Sequence, residues 1–158
     1  MTQLGLATYT RYVTDEHISP QFTRALGVAG FRTMTVVEAL GRRGADDSEI
    51  IDWLSLHGKK DAIWVTKDWS AQKRHAKLIH EKGISVLWIE IPGQGLQALR
   101  ELQLLVSITE YVMKTVSSSS SPLYFRASHD GVKPKLRRIV SPLTDSNLIY
   151  EKTRYRPT

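Results

Sequence analysis

The chain has 158 residues, of which 41% are hydrophobic and 24% charged, the size and composition of one ordinary globular domain. It contains no cysteine, which excludes disulfide frameworks, thiolate zinc sites and cysteine nucleophiles. No apolar run approaches the roughly 20 residues of a membrane span, and the first residues lack the basic-then-apolar layout of a signal peptide. We therefore expect a cytoplasmic protein with no membrane partner.

The formal net charge of +6 is concentrated late in the sequence. Residues 117–158 hold eight basic and three acidic side chains, whereas residues 1–61 hold seven basic and eight acidic ones. This distribution suits a polyanionic partner such as nucleic acid, although a solvated basic tail explains the charge equally well.

Short apolar strand patterns alternate with helical patterns, which predicts βαβ units on a parallel sheet. Ser19 and Pro20 fit the N-cap and first position of a helix, and Gly27 and Gly30 would end it. The predicted strands are 6–14, 31–37, 62–66 and 84–91, and the later predicted helices are 47–57, 70–82 and 96–116.

Two predicted helices have an apolar face at helical spacing. The faces comprise Ile50, Ile51, Leu54 and His57 in helix 47–57, and Leu96, Leu99, Leu102, Val106 and Met113 in helix 96–116.

The end of the sequence differs in composition from the α/β pattern. Five serines at 117–121 form a low-complexity joint, and the Asp130-Gly131 dipeptide between apolar runs predicts a β-hairpin. We accordingly divide the chain into an α/β domain, 1–116, and an extension, 117–158, made of the joint, a basic hairpin and a tail.

Three aspartates stand at predicted boundaries between strands and helices, namely Asp15, Asp47 and Asp68. In an open α/β sheet the carboxyl ends of the strands meet at one crevice, where ligands bind. Clustered carboxylates are the ligands of a hard divalent cation such as Mg²⁺ or Mn²⁺. Helix capping is the alternative, because Asp46 followed by Glu49 fits a capping box and Asp68 could cap the next helix. The recurrence at three boundaries favours the metal site.

Other chemistries lack their motifs. The sequence has neither of the glycine-rich loops that cradle nucleotide phosphates and no Gly-x-Ser-x-Gly elbow. Trp64 and Trp88 lie in apolar strands and are predicted to be core residues, whereas Trp69, beside Asp68, is a candidate substrate contact.

The three aspartates lie in three short stretches of sequence, residues 15–20, 44–50 and 65–68. Taken in order, these stretches resemble the PIN-like branch of the PIN-domain nucleases, the fold used by VapC-type toxins of bacterial toxin–antitoxin pairs. In that branch a strand ends in Asp-Glu-Asn followed by Ser-Pro, a Gly-Ala-x-Asp-x-x-Ile helix entry comes next, and a later strand runs into Thr-x-Asp. The matching stretches here are Asp15-Glu16-His17-Ile18-Ser19-Pro20, Gly44-Ala45-Asp46-Asp47-Ser48-Glu49-Ile50 and Val65-Thr66-Lys67-Asp68. Their order and spacing agree over residues 10–91.

The resemblance implies a three-layer α/β/α fold with a central, mostly parallel sheet of four to five strands, plus the long helix and the hairpin. It also implies metal-dependent hydrolysis of RNA that leaves a 5′-phosphate and a 3′-hydroxyl. Asp15, Asp47 and Asp68 would bind one or two Mg²⁺ or Mn²⁺ ions, with Glu16 and Glu49 as secondary candidates. The basic residues expected to contact phosphate are Lys67, Lys73, Arg74, Lys133, Lys135, Arg137 and Arg138.

The implied partners are the RNA substrate, a cognate antitoxin protein and a possible second copy of the chain. The sequence departs from the family pattern at two positions, since Ser70 replaces a second aspartate and His17 replaces the asparagine. Two alternatives stay open, and Ser70 is the main argument for the first. The first alternative is a non-catalytic PIN-like module that binds RNA or protein. The second is a receiver-like signalling domain, against which the absence of a lysine at the end of strand 84–91 counts.

Overall fold

The structure is a computed structural model that describes residues 10–58, 61–67, 69–91, 97–143 and 150–151, without the side chains of 69–73 and 150–151. In chain order its elements are β1 (Arg11–Thr14), α1 (Pro20–Val28), β2 (Thr33–Thr35), α2 (Val36–Leu40), α3 (Asp47–His57), β3 (Ala62–Thr66), α4 (Trp69–Lys82), β4 (Ser85–Glu90), α5 (Gln97–Ser118), β5 (Tyr124–His129), β6 (Pro134–Ile139) and β7 (Tyr150–Glu151).

The strands form one seven-stranded sheet in the order β2-β1-β3-β4-β5-β6-β7. The first five strands of that order are parallel, and β6 and β7 are antiparallel to their neighbours. The predicted α/β class with a mostly parallel sheet is thus confirmed. The predicted hairpin is also present as β5 and β6, and it continues the sheet because β5 pairs directly with β4.

Helices cover both faces of the sheet. Tyr12 of β1 belongs to a core cluster that includes Leu26 of α1 and Leu104 of α5, while Val13 belongs to a second cluster with α2, α3 and α4. Strands buried on both faces read as continuous apolar runs, as β3 does with all five residues buried. Trp64 and Trp88 are core residues, as predicted.

The prediction of a strand over 31–37 is wrong after residue 35. The strand covers Thr33–Thr35 only, and Val36 begins helix α2. The hydroxyl of Thr35 accepts the backbone N–H of Glu38 at 3.0 Å, and the Glu38 carboxylate accepts the backbone N–H of Thr35. This capping box outweighs the β propensity of the two valines, because it satisfies N–H groups of the first helical turn.

The predicted apolar face of the long helix is also largely wrong. Leu99 and Val106 are 43% and 62% exposed, Leu96 lies outside the described residues, and of the predicted face Met113 is fully buried. The buried stripe instead comprises Glu101, Leu104, Leu105, Ile108, Thr109, Val112, Met113 and Val116. Because the buried stripe includes a glutamate and a threonine, the pattern of apolar residues alone does not identify it.

Strand β1 covers Arg11–Thr14 of the predicted strand 6–14, and residues 6–9 lie outside the described residues. The other predicted boundaries are close to the observed ones. Helix α3 and strand β3 have the predicted bounds, and Ser19 and Pro20 begin α1 as predicted. His57 is an exception, since it is exposed and stacks on Trp53 with ring centroids 4.9 Å apart. In the part of the chain that the structure describes, no helix has the length and apolar character required to cross a bilayer.

Candidate functional site at the carboxyl edge of the sheet

A crevice is expected where β1 and β3 lie side by side. The helix after β1 packs on one face of the sheet and the helix after β3 packs on the other. Neighbouring parallel strands whose connections leave toward opposite faces form the usual ligand crevice of an open α/β sheet. Asp15 directly follows β1, and Thr66 is the last residue of β3.

Asp15 and Thr66 are hydrogen-bonded across this crevice. The Asp15 backbone N–H donates to the Val65 carbonyl oxygen at 2.9 Å, which continues the ladder between the two strands. Asp15 Oδ2 accepts from the Thr66 hydroxyl at 2.8 Å, and Oδ1 accepts from the Glu16 backbone N–H at 2.8 Å. A carboxylate has about four acceptor sites, so these two bonds leave capacity for a ligand. Asp15 is therefore held in place, and only 8% of its surface is exposed.

A cavity of about 230 Å³ opens beside Asp15. The loop after β1 contributes Asp15 and Glu16, helix α1 contributes Arg24, helix α2 contributes Glu38, and the segment before α3 contributes Arg43. Three acids and two arginines thus share one small space at the carboxyl ends of β1 and β2.

Glu16 is hydrogen-bonded to the loop that precedes α3. Its Oε1 accepts the Gly44 backbone N–H at 2.7 Å, across 28 residues of sequence. Gly44 has a φ of +74°, a left-handed conformation that favours glycine. This conformation explains why a glycine precedes Ala45 in the loop before α3. Glu16, predicted as a secondary metal ligand, lines the same cavity as Asp15.

The acids around the start of α3 have distinct partners. Asp46 caps the helix, with Oδ1 accepting the Glu49 backbone N–H at 3.0 Å, and Glu49 is paired with Arg42. Asp47 faces α4, where its Oδ2 lies 3.5 Å from Arg74 Nη2 and 3.7 Å from His75 Nε2. Asp46 therefore caps helix α3, which is the alternative role that the sequence indicated for it.

The predicted acidic constellation is brought together in part. Asp15 and Glu16 line one cavity, whereas Asp47 and Glu49 have cationic partners and do not line it. Asp68 lies outside the described residues. Among the residues that are described, no group of three or more His, Asp or Glu side chains is arranged to hold a metal ion.

Two of the predicted phosphate contacts are ion-paired with acids in the body of the protein. The Lys67 ammonium is paired with Glu101, which is 2% exposed and whose Oε1 also accepts the Ser19 backbone N–H at 3.2 Å. Arg74 is paired with Asp47. The side chain of Lys73, like that of Trp69, lies outside the described residues.

The remaining predicted contacts belong to the hairpin. Lys133 and Lys135 lie at its tip, next to the carboxyl end of β5, while Arg137 and Arg138 pair with residues nearer the start of β5. Lys135 Nζ is 3.3 Å from Asp130 Oδ2. The backbone N–H groups of Lys133 and Val132 donate to the Asp130 side chain and hold the pKa of Asp130 below its usual range. The tip is therefore an ordered turn at the same edge of the sheet as Asp15.

Four residues of this edge were missed from the sequence. Thr66 was part of the recognised frame, but its hydrogen bond to Asp15 depends on the pairing of β1 with β3. Glu101, Arg24 and Arg43 carried no motif. For Glu101 a signal existed, since a glutamate on a leucine-rich helical face needs a buried partner.

Comparisons with protein-family models, with curated proteins and with solved structures gave no match to this chain. The function must therefore be argued from the residues and their geometry.

Proposed function

We propose that this protein is a metal-dependent ribonuclease of the PIN-like type, acting as the toxin of a type II toxin–antitoxin pair. The observation that carries the proposal is the Asp15 carboxylate. It is nearly buried, it is hydrogen-bonded to Thr66 at the carboxyl ends of β1 and β3, and it lines a cavity. The resemblance to PIN-like nucleases implies that the first metal ligand is a carboxylate at this position of the sheet.

The donor atoms at this edge suit a hard cation. Mg²⁺ is usually bound through one or two carboxylates, with water and substrate phosphate completing its shell. Asp15 supplies one carboxylate with free acceptor capacity, and Asp68, two residues after Thr66 in sequence, is proposed as the second. When bound, such an ion lowers the pKa of a water molecule for in-line attack on phosphorus and offsets charge on the phosphate oxygens.

The described residues have definite tasks in this proposal. The Thr66 hydroxyl and the Glu16 N–H fix the orientation of the Asp15 carboxylate, so that little reorganisation is needed when a ligand binds. Glu16 secures the loop at Gly44 that forms one wall of the cavity. Asp47 stays a predicted ligand, although Arg74 and His75 lie next to its carboxylate.

An antitoxin would act by covering this cavity, with an arginine or lysine placed among the carboxylates. Dimerisation of the toxin is proposed on the resemblance alone.

A non-catalytic PIN-like module is the second candidate function. It is favoured by Ser70, which stands where family members often carry another aspartate. This module would bind RNA or protein without any requirement for Asp15.

The experiment that tests the proposal is cleavage of a mixed RNA pool by purified protein with Mn²⁺, with Mg²⁺ and with EDTA. Asp15→Asn is the test variant, and Asp46→Asn is the matched control, because asparagine caps a helix as well as aspartate does. We expect metal-dependent cleavage that Asp15→Asn abolishes and Asp46→Asn retains. Binding of RNA without cleavage, unchanged in Asp15→Asn, would favour the non-catalytic module.

A further inference from the structure

We infer that the cavity beside Asp15 is a phosphate-binding site in which Arg24 and Arg43 are the ligands. The inference rests on the proposed function, and it deepens it: the phosphate would be one of the RNA backbone, and RNA would approach over α1 and α2. None of the basic residues predicted from the sequence lies in this cavity.

The first argument is that these two arginines have no partner within the described residues. Neither makes a hydrogen bond or ion pair there, although both line a cavity that also contains Asp15, Glu16 and Glu38. Their neighbour Arg42 behaves differently, since it is paired with Glu49. A guanidinium that lines a cavity without an ion pair retains its full set of five N–H donors for a ligand.

The second argument is that the nearby acids are already engaged. Glu16 accepts the Gly44 N–H, Glu38 accepts the Thr35 N–H and hydroxyl, and Asp15 accepts from Thr66 and the Glu16 N–H. These bonds hold the carboxylates in place without neutralising them, so the three acids and two arginines give the cavity a formal charge of −1. A divalent cation at Asp15, as in the proposed function, would make it +1, and the two arginines remain available to bind a phosphate.

The third argument is the chemistry of the ligand. The planar guanidinium donates two parallel N–H bonds to oxygens of one phosphate, which makes arginine well suited to phosphate recognition. A phosphate held by Arg24 and Arg43 would lie in the same cavity as Asp15, the proposed metal ligand. Phosphate binding and hydrolysis would then occupy one continuous space.

The test uses two probes, adenosine 5′-monophosphate and a short single-stranded RNA, both with Mg²⁺ present. Nucleotide binding is followed by amide chemical shifts of the full chain, and RNA binding by fluorescence anisotropy with the Asp15→Asn protein, which prevents cleavage. Arg24→Gln and Arg43→Gln are the test variants. Arg42→Gln is the matched control, because it removes the same charge from the adjacent residue.

We expect Arg24→Gln and Arg43→Gln each to weaken nucleotide binding at least tenfold, while Arg42→Gln changes it less than threefold. For single-stranded RNA, the double variant should lower the slope of log affinity against log salt by about 0.7, the value for one lost phosphate contact on a single strand. If the arginine substitutions weaken nucleotide binding but leave the RNA affinity and its salt slope unchanged, the site would bind a free nucleotide and not an RNA strand.

Equal nucleotide affinity in the wild-type protein and the double variant would overturn the inference, as would the absence of nucleotide binding by the wild-type protein. These outcomes are separable from a failure of the proposed function. A protein that binds nucleotide through the arginines but never cleaves RNA has the phosphate site without the nuclease. Cleavage without nucleotide binding would retain the nuclease and remove the site.

Discussion

Asp15 illustrates how a single buried carboxylate is tolerated in the interior. Burial of an ionised group costs free energy unless hydrogen bonds compensate for the lost hydration. Here the Thr66 hydroxyl and the Glu16 N–H provide that compensation. The sequence identified Asp15 through its motif, but not the threonine that orients it, because that contact joins residues 51 positions apart.

The hydrogen bond from Thr66 to Asp15 should be measurable. A hydrogen bond to a charged group contributes about 1.5–3 kcal/mol, so we expect Thr66→Val, which keeps the shape, to lower the free energy of unfolding by that amount. Thr66→Ser retains the hydroxyl and is the control. Urea unfolding of the two variants tests this, and an equal loss in both would contradict a role for the hydroxyl.

Tyr12 gives the protein a predictable response to alkali. Complete burial raises the pKa of its phenol. Below pH ~10 the phenol is protonated in both the folded and the unfolded chain. Above that pH the unfolded chain loses the proton first, so the free energy of unfolding falls, by at most about 1.4 kcal/mol per pH unit.

We therefore expect Tyr12→Phe to be less sensitive than the wild-type protein to a change from pH 9 to pH 11. Urea unfolding at both pH values measures the difference between the two proteins, which removes the contributions of other titrating groups. Parallel losses of stability would show that Tyr12 ionises equally well in the folded state.

Helix α5 is connected to the site by one buried acid. Glu101 binds Lys67, which follows β3, and accepts the N–H of Ser19, which precedes α1. Lys67 belongs to the stretch that ends in Asp68, and Ser19 belongs to the stretch that begins with Asp15. The long helix thereby helps to position the two loops on either side of the crevice.

Substitution of Lys67 should lower the free energy of unfolding more than substitution of Glu101. Lys67→Met leaves a buried carboxylate without its cation, and we expect a loss of about 3 kcal/mol in the free energy of unfolding. Glu101→Gln leaves a lysine that is one-third exposed and keeps an acceptor for Ser19, so we expect about 1 kcal/mol. The double variant should be more stable than Lys67→Met. Equal losses for both single variants would contradict this assignment.

Among the elements, those with local signals were predicted well. Helix α3 has an N-cap aspartate and a closing glycine, and strand β3 is a compact apolar run, so both bounds could be read directly. The second strand was overextended because Val36 and Val37 favour strands while the capping box of Thr35 and Glu38 starts a helix. The stripe of α5 was misplaced because Glu101 is buried by a partner distant in sequence.

On the scale of the whole molecule, the sheet arranges the charges along one edge. The Arg24–Arg43 cavity, Asp15 and the hairpin tip with Lys133 and Lys135 all lie at the carboxyl ends of parallel strands. Three strand spacings separate β1 from β5, roughly 14 Å at about 4.8 Å for each spacing. A single RNA strand could follow this edge from the cavity toward the tip.

The position of Asp15 at the carboxyl edge of the sheet could be predicted from the sequence, but the partners of the other acids could not. Chain order and the parallel pattern place Asp15 at a crevice, because carboxyl ends of strands converge there. The partner of each acid depends on the direction that its side chain takes once the helices have packed. Asp47 is paired with Arg74 of α4, and Glu49 is paired with Arg42. The two arginines of the cavity are equally hard to predict, since most of the excess positive charge lies in residues 117–158, distant in sequence from Arg24 and Arg43.

The central claim is that Asp15 binds a divalent cation at the carboxyl edge of the sheet. Anomalous diffraction from a crystal grown with Mn²⁺ tests it most directly, because the ion is located without reference to activity. We predict a Mn²⁺ peak in contact with the Asp15 carboxylate and with that of Asp68, and no peak at this position in Asp15→Asn. A wild-type crystal with no Mn²⁺ at Asp15, although Mn²⁺ is bound elsewhere on the protein, would contradict the claim.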